Sequence, residues 1–258
     1  MSIEVTWLGH STVVLDLDGV RIVADPLLKR HAGILRRRGQ TPERAAWHGA
    51  DAILLSHLHH DHAELGSLRL LGELPVITAP ENAAWVNRKG LVGVGLREDE
   101  WMPVGNGRVE VGLTRAVHDA RPMPHRPNAA VGHLVRGPSG VVWLAGDTEL
   151  FDSMEDLPTM AGGPIDLALV PIGGWGPRLS PGHMGPEEAA VACGRIEARC
   201  AIPVHWRTLH VPAGRTWPRG WMEAGGPTFI AALAHEAPRC TAKVLDIGES
   251  FTVPDPVT

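Results

Sequence analysis

Residues Ser56 to His62 read SHLHHDH, with four histidines and one aspartate in six consecutive positions after Ser56. The run before them, DAILLS at 51–56, is apolar and continuous, as in a strand buried on both faces. Side chains alternate along an extended chain, so His57 and His59 point one way and Leu58 points to the core. Two imidazoles at that spacing can grip one metal ion. A helix starting near Asp61 would project Asp61 and His62 from its first turn, where they could hold a second ion. His60 lies on the other side from His59 and is expected to stay free. The pattern differs from the helical H-E-x-x-H zinc motif, which needs histidines at i and i+4 on one face. A surface histidine run, as in a tag, fits poorly with a cluster that ends a buried strand and contains aspartate.

One loop does not supply a whole metal site. His118 in TRAVHDA, Asp147 in WLAGDTE and His205 in IPVHWR each end an apolar strand, as His57 does. A lone histidine is more often structural; this order after H-x-H-x-D-H points to a distributed site. The flanking pattern agrees. An Asp18-Gly19 turn joins β-branched strands, and helix-like segments at 62–72, 81–90 and 186–198 alternate with strands. Gly90 suits the position just past a helix end. Pro186, Glu187 and Glu188 suit a first turn. A last helix is expected over TFIAALAHEA, with short strands near AKVLDI and SFTV. The alternation implies an α/β fold, read as one domain over 1–258.

These motifs resemble the metallo-β-lactamase superfamily, and the likeness runs over nearly the whole chain: HLHHDH, then His118, then GDT, then PVH. The resemblance implies a four-layer αββα sandwich with a dinuclear centre on one edge. It assigns His57, His59 and His118 to one ion, Asp61, His62 and His205 to the other, and Asp147 to a bridge. WLGHSTVVL, VADP, LVPIGG and PGHMGPEEA are further similar to the branch containing ascorbate-6-phosphate lactonase and the N-acylphosphatidylethanolamine-hydrolysing phospholipase D. In that branch a histidine just before PEEA lies at the active site; here it is His183, suited to proton transfer. Such a ligand set leaves open positions, as catalytic sites do. Two divalent ions bring a bound water towards a pKa of ~7, making a bridging hydroxide nucleophilic at neutral pH. The expectation is hydrolysis of an ester, lactone or phosphodiester bond, with Asp61 and His183 in the catalytic machinery. Imidazole and carboxylate donors suit zinc first, with manganese or iron also accepted.

Around this core the sequence offers candidates for support and specificity. Asp25 could accept the second N–H of a ligand histidine, and His10 is expected to support the site. Arg121 and Arg178 could contact an anionic substrate, and Trp175, with Trp206, Trp217 and Trp221, could wall a pocket or pack the loops. Lys29, Arg30, Arg36, Arg37 and Arg38 read as a basic flap or as a solvated face.

The net charge is −5 with no basic stripe, which argues against a nucleic-acid partner and against a nuclease of the same fold. A small-molecule substrate is expected, in a possible homo-oligomer. No apolar run reaches the ~18 residues of a membrane span. Three cysteines without C-x-x-C spacing suit a reducing cytoplasm. Iron-dependent oxygen chemistry and non-catalytic metal binding stand as the alternatives from other classes.

Overall fold

A tight hairpin forms at Asp18 and Gly19, whose φ angles of 53° and 82° match a type I′ turn. It joins Thr12–Leu17 to Val20–Ala24 with Leu17 opposite Val20. The structure is a computed structural model, and it describes residues 2–105, 107–118, 126–127 and 129–255. The hairpin belongs to a seven-stranded sheet in the order Ser250–Thr252, Ile3–Gly9, Thr12–Leu17, Val20–Ala24, Ala52–Leu54, Pro75–Thr78, Val92–Gly95. A second sheet runs Trp101–Val104, Val109–Arg115, Val131–Gly137, Gly140–Leu144, Leu167–Pro171, Cys200–Val204, Thr241–Ala242. Each sheet is antiparallel through its first four strands and parallel thereafter.

The sheets face each other across one apolar cluster. Trp7, Leu15, Ile22 and Leu54 of the first meet Val111, Leu134, Val142 and Leu169 of the second. The helix Pro80–Arg88 covers the outer face of the first sheet, setting Trp85 and Val86 on Ile53, Leu55 and Val76. The helices Pro186–Arg195 and Trp221–Glu236 cover the second through Ala189, Cys193, Phe229 and Leu233. The result is the αββα sandwich that the resemblance implied. Helix ends follow their local chemistry. Gly90 (φ 74°) closes Pro80–Arg88, with its N–H donating to Asn87 O and the Leu91 N–H to Val86 O, a Schellman arrangement. At Pro186–Arg195, Glu188 reaches back to accept the Gly185 N–H at 2.8 Å.

Three expectations change. No helix starts near Asp61. A turn there, with His62 and Ala63 N–H donating to His59 O, leads to a helix at Leu65–Leu70 capped by Glu64. The last helix begins at Trp221, seven residues before Thr228, and runs through Gly225, Gly226 and Pro227. These residues look like breakers, yet the glycines let the helix press on Trp206. A Cβ on Gly226 would sit 2.5 Å from the Trp206 ring, and that ring stacks on Trp7 with centroids 6.2 Å apart. Gly226→Ala should therefore overpack the interface. Overpacking costs about 1–3 kcal/mol, against about 1 kcal/mol gained in helix propensity. The contact is severe, so a net loss of about 2 kcal/mol is expected, read from urea unfolding. Third, the basic segment is not a wholly solvated face. His31–Ala32 and Leu35–Arg37 form a hairpin that pairs with Leu209–His210. Arg37 is buried and donates to the carbonyls of Leu8 and Leu27; burial lowers its pKa to about 10. Arg38 pairs with Glu223.

Candidate metal centre

The parallel strands deliver the site's residues at their carboxyl ends, where open α/β sheets gather ligands. Asp25 follows Val20–Ala24, His57 lies beyond Ala52–Leu54, Asp147 beyond Gly140–Leu144, and His205 directly after Cys200–Val204. His118 lies just past the antiparallel strand Val109–Arg115, and His10 just past Ile3–Gly9. His10, Asp25 and His205 take left-handed backbone, with φ of 54°, 40° and 61°. That conformation costs a non-glycine residue about 1–2 kcal/mol and turns each side chain sharply off its strand. Local bonds hold it: the His10 carbonyl accepts from His205 N–H at 2.9 Å and from Trp7 Nε1–H at 2.8 Å, and Asp25 N–H donates to Leu54 O at 2.9 Å.

Hydrogen bonds at the far side of each ring decide what faces the centre. His118 Nδ1–H donates to Gly182 O at 2.7 Å, His205 Nδ1–H to Gly173 O at 2.8 Å, and His62 Nδ1–H to Asp25 Oδ2 at 2.8 Å. Ser56 Oγ–H donates to Asp25 Oδ2, so Ser56 Oγ accepts from His57 Nδ1–H at 3.0 Å. In its neutral form each of these four rings therefore turns an unprotonated Nε2 inward. The Nε2 atoms of His57, His62 and His205 are buried with no hydrogen-bond partner, as is Asp147 Oδ1. Their lone pairs converge on one point. Asp147 Oδ2 lies 3.2 Å from His62 Nε2, 3.2 Å from His205 Nε2, 3.4 Å from His183 Nε2 and 3.8 Å from His57 Nε2. His118 Nε2 lies 3.2 Å from His59 Nδ1. Nitrogens about 2.0–2.1 Å from one tetrahedral ion would be separated by close to this distance.

The donors fall into overlapping groups that could hold ions: His57, His59 and His118; His57, His62 and Asp147; His118, Asp147 and His183; and His10, Asp61, His62 and His205. Their electrostatics ask for positive charge. Burial alone would raise both carboxyl pKa values. The hydrogen bond from His10, with His205 Nε2 3.8 Å away, instead holds Asp61 well below its usual range, and His205 and His62 do the same for Asp147. Burial opposes charge on His62 too, yet Asp147 and Asp25 push its pKa well above the usual imidazole value; Asp147 pushes His205 up to about 9. The carboxylates thus favour the protonated form of imidazoles that burial alone would keep neutral. Burial depresses His57 strongly, His59 to about 4, and His118. Nitrogen and oxygen donors with orphaned inward atoms fit divalent ions.

The remaining sequence candidates divide. His60 is exposed and belongs to none of these groups. His10 is fully buried, and burial followed by the charge on His205 lowers its pKa to about 3. A neutral His10 donates Nε2–H to Asp61 Oδ2 at 3.0 Å, so that nitrogen is committed to the carboxylate. His183 is partly exposed; its Nδ1–H points at Ser180 O, 3.1 Å away, leaving Nε2 towards Asp147. Trp175 and Arg178 are exposed, and Arg178 makes no hydrogen bond or ion pair among the described residues. Arg121 lies outside the described residues. Trp206 packs against Trp7 and Trp221 donates Nε1–H to Gly214 O, while Trp217 is exposed. Sequence reasoning missed Ser56, which ties Asp25 to His57, and Gly173, Gly182 and Glu149; Glu149 accepts the Gly182 N–H. The loop from Gly173 to His183 is thereby fastened at both ends to candidate ligands.

A family model described as "Beta-lactamase superfamily domain" matches residues 20–206. A UPF0173 metal-dependent hydrolase of Nitratidesulfovibrio vulgaris is 28% identical over 264 residues, covering 98% of this chain and 96% of its own. N-acyl-phosphatidylethanolamine-hydrolyzing phospholipase D 1 of Caenorhabditis elegans is 30% identical, over 82% of this chain and 65% of its own. Among solved structures, Igni18, described as a novel metallo hydrolase from Ignicoccus hospitalis, superposes with a TM-score of 0.75 at 22% identity, over 98% of both chains. The span of the family match holds every converging donor except His10, and the chain belongs to the metallo-β-lactamase superfamily.

Proposed function

We propose that this metal-dependent hydrolase holds two divalent ions, zinc first among them, and cleaves an ester, lactone or phosphodiester bond of a small substrate. The observation that carries the reading is the convergence of unpartnered Nε2 atoms on Asp147 Oδ2 from histidines whose other ring nitrogens are spent on protein oxygens. His57, His59 and His118 would hold one ion, and Asp61, His62 and His205 the other, with Asp147 between them. When bound, such ions supply Lewis acidity and a water acidic enough to attack at neutral pH. The chain's own residues do the rest. Gly182, Gly173, Ser56 and Asp25 fix the ring tautomers. His10 holds one Asp61 oxygen and so orients that carboxylate. His183, with Nδ1–H committed and Nε2 free at the rim, is placed to take the proton of the attacking water on Nε2 and pass it to the leaving group. One relative is named as an N-acyl-phosphatidylethanolamine-hydrolyzing phospholipase D, which keeps a phosphodiester among the candidate bonds.

The test is a screen of metal-loaded protein against lactones, phosphodiesters and phosphate-bearing esters, beside Asp61→Ala. Wild type should turn over at least one class, and the variant should lose that activity together with metal content. Undiminished activity in Asp61→Ala would sink the reading.

A further inference from the structure

The basic segment supplies no donor to the metal centre, and the fold brings a second basic segment beside it. Residues 26–42 and 206–222 contain no aspartate or glutamate. Five of the chain's 24 lysines and arginines lie in the first and three in the second, although the net charge is −5. Positive charge is therefore segregated here. The small sheet joins the two segments. Leu35–Arg37 pairs antiparallel with Leu209–His210, so beyond His210 the chain runs towards the tip of the hairpin. Val211 packs on the cluster of Ala32 and Leu35, and the loop 212–220 leaves beside Gly33 and Ile34. Trp221 Nε1–H donates to Gly214 O at 3.0 Å and ties the far end of that loop back.

Ile34, at the hairpin tip, and Trp217, in the loop, are 75% and 78% exposed, more than any other large apolar side chain among the described residues. Their neighbours Arg30, Arg36, Arg215 and Arg219 are exposed too. None of these four guanidiniums has a hydrogen-bond or ion-pair partner among the described residues. Arg36 stands opposite exposed His31 on the outer face of the hairpin, the face that Arg37 turns away from. Glu223, the next acid along the chain, is already shared by Arg38 and Arg207.

Single exposed apolar residues are ordinary. Two protruding tips among unpaired cations, in a patch without acids, fit one kind of partner. At a bilayer surface an indole body enters the acyl boundary while its N–H stays at headgroup level. Guanidiniums bind lipid phosphates. A fluid lipid layer accepts such tips without a matching pocket, which a folded partner would have to supply for each. No helix among the described residues is long and apolar enough to cross a membrane, so the contact is peripheral.

We infer that the tips at Ile34 and Trp217, with Arg30, Arg36, Arg215 and Arg219 around them, dock the protein on an anionic lipid surface.

Flotation of the full chain with vesicles tests this. One set is phosphatidylcholine alone, and the other contains about a third phosphatidylglycerol. Binding should occur to the anionic set only and disappear at high salt. Arg215→Glu with Arg219→Glu should weaken it at least about 25-fold, about five-fold for each arginine removed. Trp217→Ala should weaken it about tenfold. Arg88→Glu with Arg97→Glu makes the same charge change at exposed positions near the Val92–Gly95 edge. That pair should bind within about twofold of wild type, because screening confines each charge to its neighbourhood. Thermal unfolding of each variant checks that it is folded. Brominated acyl chains should quench part of the wild-type tryptophan emission. Trp217→Phe, which keeps an apolar ring at the tip, should still bind and lose that quenching. No binding to anionic vesicles, an equal loss in the Arg88 and Arg97 pair, or bound protein without quenching overturns the inference. Tighter binding of a thymidine oligonucleotide than of the vesicles would also overturn it and assign the surface to nucleic acid.

Discussion

Asp147→Asn should abolish turnover and leave the protein with fewer than two bound ions. The carboxylate oxygen Oδ2 faces Nε2 of His62 and His205 at 3.2 Å each, His183 at 3.4 Å and His57 at 3.8 Å. An amide has nearly the same shape but removes a full negative charge from the point where these lone pairs meet. Turned one way, it offers a neutral oxygen. Turned the other, it donates N–H to an imidazole nitrogen that would otherwise bind an ion. Lewis-acid stabilisation is worth several kcal/mol, and ~4 kcal/mol is about a thousand-fold in rate, so kcat should fall by at least about 10³. Elemental analysis of the purified variant and kcat on whichever substrate the screen yields are the two readouts. Two ions retained with kcat within tenfold of wild type would remove Asp147 from the bridging role.

What the sequence made legible follows from the kind of atom involved. His57, His118, Asp147 and His205 could be picked out because a titratable side chain at the end of an apolar strand is chemically conspicuous. Gly173 and Gly182 could not, because they act through backbone carbonyls, which every residue has. Ser56 stands inside the histidine-rich motif, but its role depends on the left-handed turn at Asp25, and no local pattern announces that turn. The start of the last helix was hidden for a packing reason: Gly225 and Gly226 read as breakers until Trp206 is seen against them. Arg37 sits in a run of charges that looks solvated, yet its guanidinium finds two carbonyls under the hairpin. The shared strand pattern of the two sheets leaves no visible repeat, since fold symmetry needs only matching hydrophobic alternation. Tertiary approach, more than local propensity, accounts for each omission.

Asp25→Asn should weaken metal binding while the backbone stays in place, and the reason lies in a chain of protons. Asn tolerates the left-handed conformation that Asp25 holds at φ 40°, and its amide oxygen can still accept the Ser56 N–H, now bonded at 2.8 Å. The other oxygen becomes NH₂. In the wild type that oxygen accepts from both Ser56 Oγ–H and His62 Nδ1–H. The amide instead donates to both. His62 must then carry its proton on Nε2, the atom aimed at Asp147. Ser56 Oγ, now an acceptor from the amide, turns its own hydrogen to His57 Nδ1, and His57 too must protonate Nε2. One atom changed in Asp25 thus occupies a donor lone pair in each half of the centre, although Asp25 itself faces neither ion. Loss of such an outer partner usually costs 10–100-fold in metal affinity; with two rings inverted, the upper end, about 100-fold, is expected. Competition against a chelator measures the affinity, and thermal unfolding of the metal-free variant separates the effect from a folding defect. A metal-free variant as stable as wild type, with both ions lost at chelator concentrations the wild type withstands, is the expected result. If both affinities stayed within a few-fold, the tautomer relay through Ser56 would be wrong, and Asp25 would serve packing alone.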